Sequence, residues 1–149
     1  MEPSFFPLNW STNPKRLGNS TQLHCTDREH TINPVFLVSF AGPRLIALLV
    51  HDFLWEGRCW IANLPSNSLG FFLAYAGYDV WIINTRGTTW SRRHKQFSIY
   101  QQEFWNFSFH EMAVYDIPAT INFILHKTKQ DSLYYIGHSQ GAGIGKLRI

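Results

Sequence analysis

Three short runs dominated by apolar residues mark the chain after its first 44 residues: Leu45–Val50, Asp79–Asn84 and Leu133–Ile136. None alternates between apolar and polar positions, which is typical of strands covered on both faces in a parallel sheet. Residues Val35–Phe40 have the length and composition of a further short strand. The pattern therefore predicts at least three strands of one buried sheet.

Helical patterns lie between these runs. Ser66 or Ser68 can cap a helix that Gly77 ends in a left-handed turn. Apolar residues recur at near-helical spacing over 109–125, where Pro118 is expected to kink the helix or mark its second start. The order of elements predicts βαβ units, and thus an α/β fold with a mainly parallel sheet and helices on both faces.

Two stretches of the chain show neither the pattern of a strand nor the 3.6-residue period of a helix. Residues 1–44 are rich in Ser, Thr, Asn and Pro, and we predict an irregular leader before a domain that spans 45–149. Residues 85–108 contain several aromatic and basic side chains and are predicted to form a long ordered loop packed by its aromatics. The N-terminus shows neither a basic region nor an uninterrupted apolar segment, so no signal peptide is predicted.

Composition narrows the class of protein. Aromatic residues make up 16% of the 149 residues, which favours a folded core over disorder. The net charge of +3 comes without a long basic run, so we expect no nucleic-acid partner. The most apolar window, 35–50, is interrupted and shorter than the roughly 20 residues of a membrane span. Two cysteines without metal-type spacing predict neither a disulfide framework nor a metal site.

The pentapeptide Gly137-His138-Ser139-Gln140-Gly141 directly follows the last predicted strand. Gly-x-Ser-x-Gly in this position is typical of a nucleophile elbow, a strained strand-to-helix turn that exposes a catalytic serine. The strand and the helix approach so closely that only glycine fits two residues to either side of the serine. We therefore predict Ser139 as nucleophile, Gly137 and Gly141 as structural residues, and the Gln140 backbone N–H as an oxyanion-hole donor.

The second donor of such a hole comes from the loop after an earlier strand, often marked by His-Gly. His51-Asp52-Phe53 lies in that position, which makes the Phe53 N–H the predicted donor. Asp52 stands where a glycine is expected, and its carboxylate would lie near the developing oxyanion with the same sign of charge. His51 is predicted to be a structural, hydrogen-bonded histidine rather than a base.

From Leu48 to Gly145 the chain resembles the acid lipase family of α/β-hydrolases, the gastric and lysosomal acid lipases. The matching stretches, in order, are LLVHDFL, WIANLPSNSLGFFLAYAGYDVWIINTRGTTWSRRHK, EFWNFSFHEMAVYDIPATINFIL and YYIGHSQG. The resemblance implies a hydrolase of neutral lipid esters, triacylglycerols or cholesteryl esters, that needs no cofactor and acts at a lipid–water interface. It also implies a secreted or lysosomal glycoprotein, for which three Asn-x-Ser/Thr triplets begin at Asn9, Asn19 and Asn106.

The chain departs from that family in its leader, at Asp52 and after Gly145. In α/β-hydrolases the triad runs in the order Ser, Asp or Glu, His, yet no Asp, Glu or His follows Ser139. A serine without a positioned base is a poor nucleophile. We therefore expect a partial fold truncated after the elbow, weak or absent activity, and an exposed sheet edge that favours association.

Two other functions stay open at this point. One is a non-catalytic, lipase-like lipid-binding or regulatory protein, which Asp52 and the missing base suggest. The other is a different acyl-transfer enzyme on the same fold, such as a thioesterase. The Trp-rich stretches that resemble the acid lipases favour the lipase over the thioesterase.

Overall fold

A computed structural model of the protein describes residues 23–24, 30–32, 35–38 and 44–147. Most of the predicted leader, 1–44, lies outside these residues, as do Cys25 and the sequons at Asn9 and Asn19. The boundary predicted at residue 45 therefore stays a prediction.

The main sheet has four strands, β3 (Val35–Val38), β5 (Asp79–Ile82), β4 (Ile46–Val50) and β7 (Tyr134–Gly137), which lie side by side in that order. Strand β4 (Ile46–Val50) pairs in parallel with β5 (Asp79–Ile82) on one side and with β7 (Tyr134–Gly137) on the other. Strand β3 (Val35–Val38) pairs antiparallel with β5. The predicted α/β fold with a mainly parallel sheet is confirmed. Within the described part of the chain, β7 forms one edge of this sheet.

Helices cover both faces of the sheet, as predicted. On one face, helix α1 (Leu69–Tyr75) packs on the side chains of Leu49, Val80 and Ile82. The opposite face carries the alternate strand residues, Ile46, Leu48, Val50, Trp81 and Ile83, which pack against Ile117, Ile124 and Ile144 of the later helices. All five residues of β4 are buried, which explains why its sequence does not alternate.

A second, smaller sheet joins the start of the chain to the predicted long loop. Its strands are β1 (Leu23–His24), β2 (His30–Ile32) and β6 (Arg93–His94), paired antiparallel in that order. The His30 ring is buried edge-on between the rings of His94, at 4.7 Å, and Phe104, at 5.2 Å. The aromatic packing predicted for 85–108 is therefore present in this loop.

Helix α1 follows two 3₁₀ turns, Gly57–Ile61 and Pro65–Asn67. Ser68 occupies the N-cap position, but its hydroxyl donates to the carbonyl oxygen of Asn63 at 3.0 Å and makes no capping bond. The helix is followed by Gly77 at φ 92°, the left-handed residue that was predicted.

The predicted second helix is interrupted by a wider turn. It runs as α2 (Phe109–Glu111), a π-helical turn (Met112–Asp116) and α3 (Ile117–Thr128). Pro118 lies in the first turn of α3, so it marks a second start, one of the two predicted outcomes. Because proline has no N–H to bond the carbonyl four residues earlier, the regular α pattern cannot continue through it.

The π-helical turn ends in a buried ion pair. The Asp116 carboxylate accepts from the Arg86 backbone N–H at 2.9 Å, from Nε at 2.9 Å and from Nη2 at 2.6 Å. The two side chains are 0% and 2% exposed. This pair fixes the residues after β5 to the helix that packs on the sheet.

The last helix, α4 (Gln140–Lys146), begins against the carboxyl end of β4. A Cβ at Gly141 would collide with the carbonyl oxygen of Val50 and lie 2.7 Å from that of His51. A Cβ at Gly137 would lie 2.5 Å from the backbone nitrogen of Ala142. Gly143 has no such neighbour within 4 Å. Close approach therefore requires glycine at 137 and 141, but not at 143.

Replacing Asp116 with Ala is expected to lower the free energy of unfolding by about 3–5 kcal/mol, because Arg86 would stay buried without its carboxylate. Asp131→Ala, at an exposed position, should change it by less than about 0.5 kcal/mol. Urea unfolding at pH 7 measures both. Equal losses of stability in the two variants would contradict a stabilising role of the Arg86–Asp116 pair. Failure of Asp116→Ala alone to fold would mean a larger loss than expected and would support that role.

Gly141→Ala and Gly143→Ala, two substitutions in the same helix, should have opposite effects on stability. Gly143→Ala should raise the unfolding free energy by up to about 1 kcal/mol through helix propensity. Gly141→Ala should lower it by about 1–3 kcal/mol, since the methyl group has no room against β4. Thermal and urea unfolding measure the change in stability of each variant. A Gly141→Ala variant as stable as the parent would show that the close contact with β4 does not require glycine.

Candidate active site

Ser139 lies in the turn between β7 and α4 and is exposed. Its backbone has φ 47° and ψ −110°, a conformation that a residue with a side chain rarely adopts. Such strain persists only where the surrounding structure holds it. Here the His138 N–H donates to the carbonyl oxygen of Val50 at 3.1 Å, and the Gly143 N–H donates to that of Ser139 at 3.0 Å.

The two predicted oxyanion-hole donors come together beside this serine. The N–H groups of Phe53 and Gln140 are far apart in sequence, yet both donate to one atom, Oδ1 of Asp52, at 2.6 and 3.1 Å. The structure therefore places these donors as a pair, next to a serine in a strand-to-helix turn. The catalytic roles of Ser139, Phe53 and Gln140 stay predictions.

The Asp52 carboxylate collects further partners at the same point. Nδ1 of His138 lies 3.5 Å from Oδ2. The hydrogen bond from Ser139, followed by those from the Gln140 and Phe53 N–H groups, holds the pKa of Asp52 below its ordinary value. The carboxylate is thus a negative charge at neutral pH, at the place where sequence reasoning expected an unfavourable one.

His51 connects the loop after β4 to the end of β5. Its Nε2 accepts from the backbone N–H of Thr85 at 3.2 Å, so the ring proton is assigned to Nδ1, which donates to the Asp52 carbonyl oxygen at 2.8 Å. Burial lowers the pKa of this imidazole. With both nitrogens engaged and a neutral ring, His51 has the structural geometry that was predicted for it.

A cavity of about 740 Å³ opens beside these groups. It lies between the loop after β4 and the loop after β5, and Gln140 reaches its wall. Its aromatic lining comes from Phe53, Trp55, Trp105 and Phe107. Phe53, Leu54 and Trp55 are more than half exposed, so one side of the cavity presents an apolar rim to solvent.

Arg86 also lines this cavity, and its pairing with Asp116 was not predicted. The contact joins residues 30 positions apart and leaves no trace in local periodicity. A signal was nevertheless present, because Asp116 interrupts an otherwise apolar stretch of the helix. A charged residue on a buried helix face requires a partner of opposite charge.

Among the described residues, no group of three or more His, Cys, Asp or Glu side chains is placed to hold a metal ion. In the same part of the chain, no helix has the length and apolarity needed to span a membrane.

Comparison with known proteins identifies the fold and its family. The family model of the alpha/beta hydrolase fold matches residues 49–146. The solved structure of esterase Pf2001 from Pyrococcus furiosus superposes on 97% of this chain and 51% of its own, with a TM-score of 0.59 and 16% identity. At that identity the likeness shows the fold alone.

Curated relatives are much closer in sequence. Human lysosomal acid lipase/cholesteryl ester hydrolase is 57% identical over 104 residues, which are 70% of this chain and 26% of that protein. Gastric triacylglycerol lipase from Rattus norvegicus is 57% identical over 104 residues, with the same coverage of 70% and 26%. The chain thus spans about a quarter of the length of the relatives it matches. It belongs to the α/β-hydrolase fold family and, within that family, to the acid lipases, as its ordered motifs predicted.

Proposed function

We propose that this chain carries the nucleophile and the oxyanion hole of a lipase, a serine hydrolase of carboxylic esters in neutral lipids. The observation that carries the proposal is the exposed Ser139 at φ 47°, with the N–H groups of Phe53 and Gln140 converging beside it. Acyl transfer requires both parts at the same point.

The chemistry follows from these positions. The Ser139 oxygen attacks the ester carbonyl carbon, the carbonyl π bond opens, and its electron pair moves onto oxygen. Phe53 and Gln140 donate hydrogen bonds to that oxyanion, and α4 adds the positive end of its dipole. Collapse of the intermediate expels the alcohol and leaves an acylated serine, which water then hydrolyses.

Each step also needs a proton acceptor. In this fold the acid and the histidine of the triad follow the serine in the chain, and the sequence has no Asp, Glu or His after Ser139. Removing the serine–histidine partnership costs about 10⁶ in turnover in a well-studied protease. We therefore infer that the chain by itself turns over esters slowly or not at all.

The substrate class rests on the relatives and on the cavity. One relative is named a cholesteryl ester hydrolase and another a triacylglycerol lipase, and an aromatic-lined cavity with an exposed apolar rim suits an acyl chain. We propose neutral lipid esters as substrates in lipid degradation, and a lysosomal or secreted location by the same relatives. Asn106 is exposed, so that sequon is open to glycosylation in such a compartment.

A non-catalytic, lipid-binding role is the second candidate, because the Asp52 carboxylate occupies the predicted oxyanion hole. An anion held there opposes formation of another. Binding of a lipid ester without reaction at Ser139 would favour this role.

An alkyl fluorophosphonate separates the two functions, since it reports the serine without requiring turnover. After prolonged incubation with excess reagent, intact mass should show a slowly formed adduct on the parent chain and on Ser132→Ala, an exposed serine control, and none on Ser139→Ala. With p-nitrophenyl butyrate, the parent rate should exceed that of Ser139→Ala only slightly. Adducts of equal amount in the parent and in Ser139→Ala would reject Ser139 as the nucleophile.

A further inference from the structure

We propose that the Asp52 carboxylate is an intramolecular ligand of the oxyanion hole, which an ester carbonyl must displace before Ser139 can react. The inference rests on the proposed function for the identity of the hole, and it names the residue that regulates access to it. Asp52 is thus a specificity-determining residue for carbonyl and oxyanion ligands of the oxyanion hole.

The geometry of the contact matches that of a bound oxyanion. Oδ1 of Asp52 lies 2.6 and 3.1 Å from the two backbone nitrogens, and oxyanion-hole donors lie about 2.7–3.1 Å from the oxygen they stabilise. The Ser139 hydroxyl also lowers the pKa of this carboxylate. Both predicted donors are therefore committed to one side chain, and each N–H has a single proton to give.

The backbone of Asp52 is held in place, so its side chain stays near the hole. The Asp52 carbonyl oxygen accepts from Nδ1 of His51 at 2.8 Å and from the Trp55 N–H at 3.3 Å. His51 is itself fixed by Thr85 at the end of β5. Release of the hole therefore requires rotation of one side chain, without movement of the loop.

Displacement has an electrostatic cost as well as a steric one. Hydrogen bonds to a charged acceptor are about twice as strong as those between neutral groups. A neutral ester carbonyl would exchange such bonds for weaker ones, and the displaced carboxylate would remain close to the developing negative charge. The side chain accordingly lowers the affinity of the hole for carbonyl and oxyanion ligands and the reactivity of Ser139.

The first experiment measures occupancy at Gln140, which is remote in sequence from the mutated position. The ¹H–¹⁵N resonance of Gln140 is compared at pH 7 in the parent chain, Asp52→Gly and Asp52→Asn. Loss of a charge-assisted hydrogen bond should move the amide proton upfield in Asp52→Gly and less in Asp52→Asn, which keeps an acceptor oxygen. An unmoved Gln140 amide in a folded Asp52→Gly, or in folded Asp52→Asn if the glycine variant does not fold, would overturn the proposal.

The second experiment measures competition with n-butylphosphonate, an anion that resembles the tetrahedral intermediate and needs no catalysis. Asp52→Gly should bind it at least about tenfold more tightly than the parent, given the strength of hydrogen bonds to charged groups. Glu56→Gln, which removes a carboxylate from the same loop, should change the affinity by less than about threefold. Equal affinity in the parent and Asp52→Gly, or an equal gain in Glu56→Gln, would contradict displacement of Asp52.

The two readouts separate this inference from the proposed function. If fluorophosphonate labels the parent and Ser139→Ala in equal amount, the serine is not the nucleophile and the proposed function fails. The Gln140 resonance and the phosphonate affinity still decide the role of Asp52 in that case. If labelling occurs, its rate should rise in Asp52→Gly by a factor similar to the gain in phosphonate affinity.

Discussion

The contact between Gly141 and the carboxyl end of β4 is the constraint on which the rest of the site depends. Because the first turn of α4 lies directly against the carbonyl oxygens of Val50 and His51, the loop that follows β4 has to pass the start of that helix. The Gln140 N–H consequently faces Asp52 and Phe53. The same contact explains the strained turn at Ser139, which has only two residues between the strand and the helix.

A second constraint fixes the opposite wall of the cavity. The Arg86–Asp116 pair holds the residues after β5 to the π-helical turn. Thr85, which directly precedes Arg86, forms hydrogen bonds with the imidazole of His51. The position of Asp52 therefore depends on two other segments. The elbow contributes Gln140 and Ser139, and the loop after β5 supports the backbone that carries the carboxylate. A single aspartate in place of glycine thus affects a predicted oxyanion hole whose two donors come from separate segments, one of them supported by a third.

Local pattern was enough to predict much of this arrangement. The three apolar runs became β4, β5 and β7 with shifts of one or two residues, and the pentapeptide around Ser139 lies between strand and helix because glycines relieve a clash of known geometry. Sequence reasoning also expected a misplaced negative charge at Asp52, since glycine is the usual residue there. It did not predict that the carboxylate would accept from both predicted donors, which depends on a side-chain conformation.

Other features were missed because they depend on contacts between distant segments. The pairing of His30–Ile32 with Arg93–His94 and the Arg86–Asp116 bond join residues with no common local period. The hydroxyl of Ser68 donates to a carbonyl oxygen and does not accept from the helix N–H groups. Helix-capping preferences alone do not reveal this choice of partner.

If Asp52 occupies the predicted oxyanion hole as an anion, the pKa of its carboxyl group must be lowered by the groups that donate to it. Side-chain ¹³C resonances, followed as the pH is lowered, report the protonation of Asp52 itself. We expect a midpoint below the value of about 3.9 that is ordinary for aspartate, because hydrogen bonds from Ser139, Gln140 and Phe53 lower the pKa of this carboxyl group. A midpoint at or above that value would contradict it, since a carboxylate that gains nothing from those donors does not hold the hole.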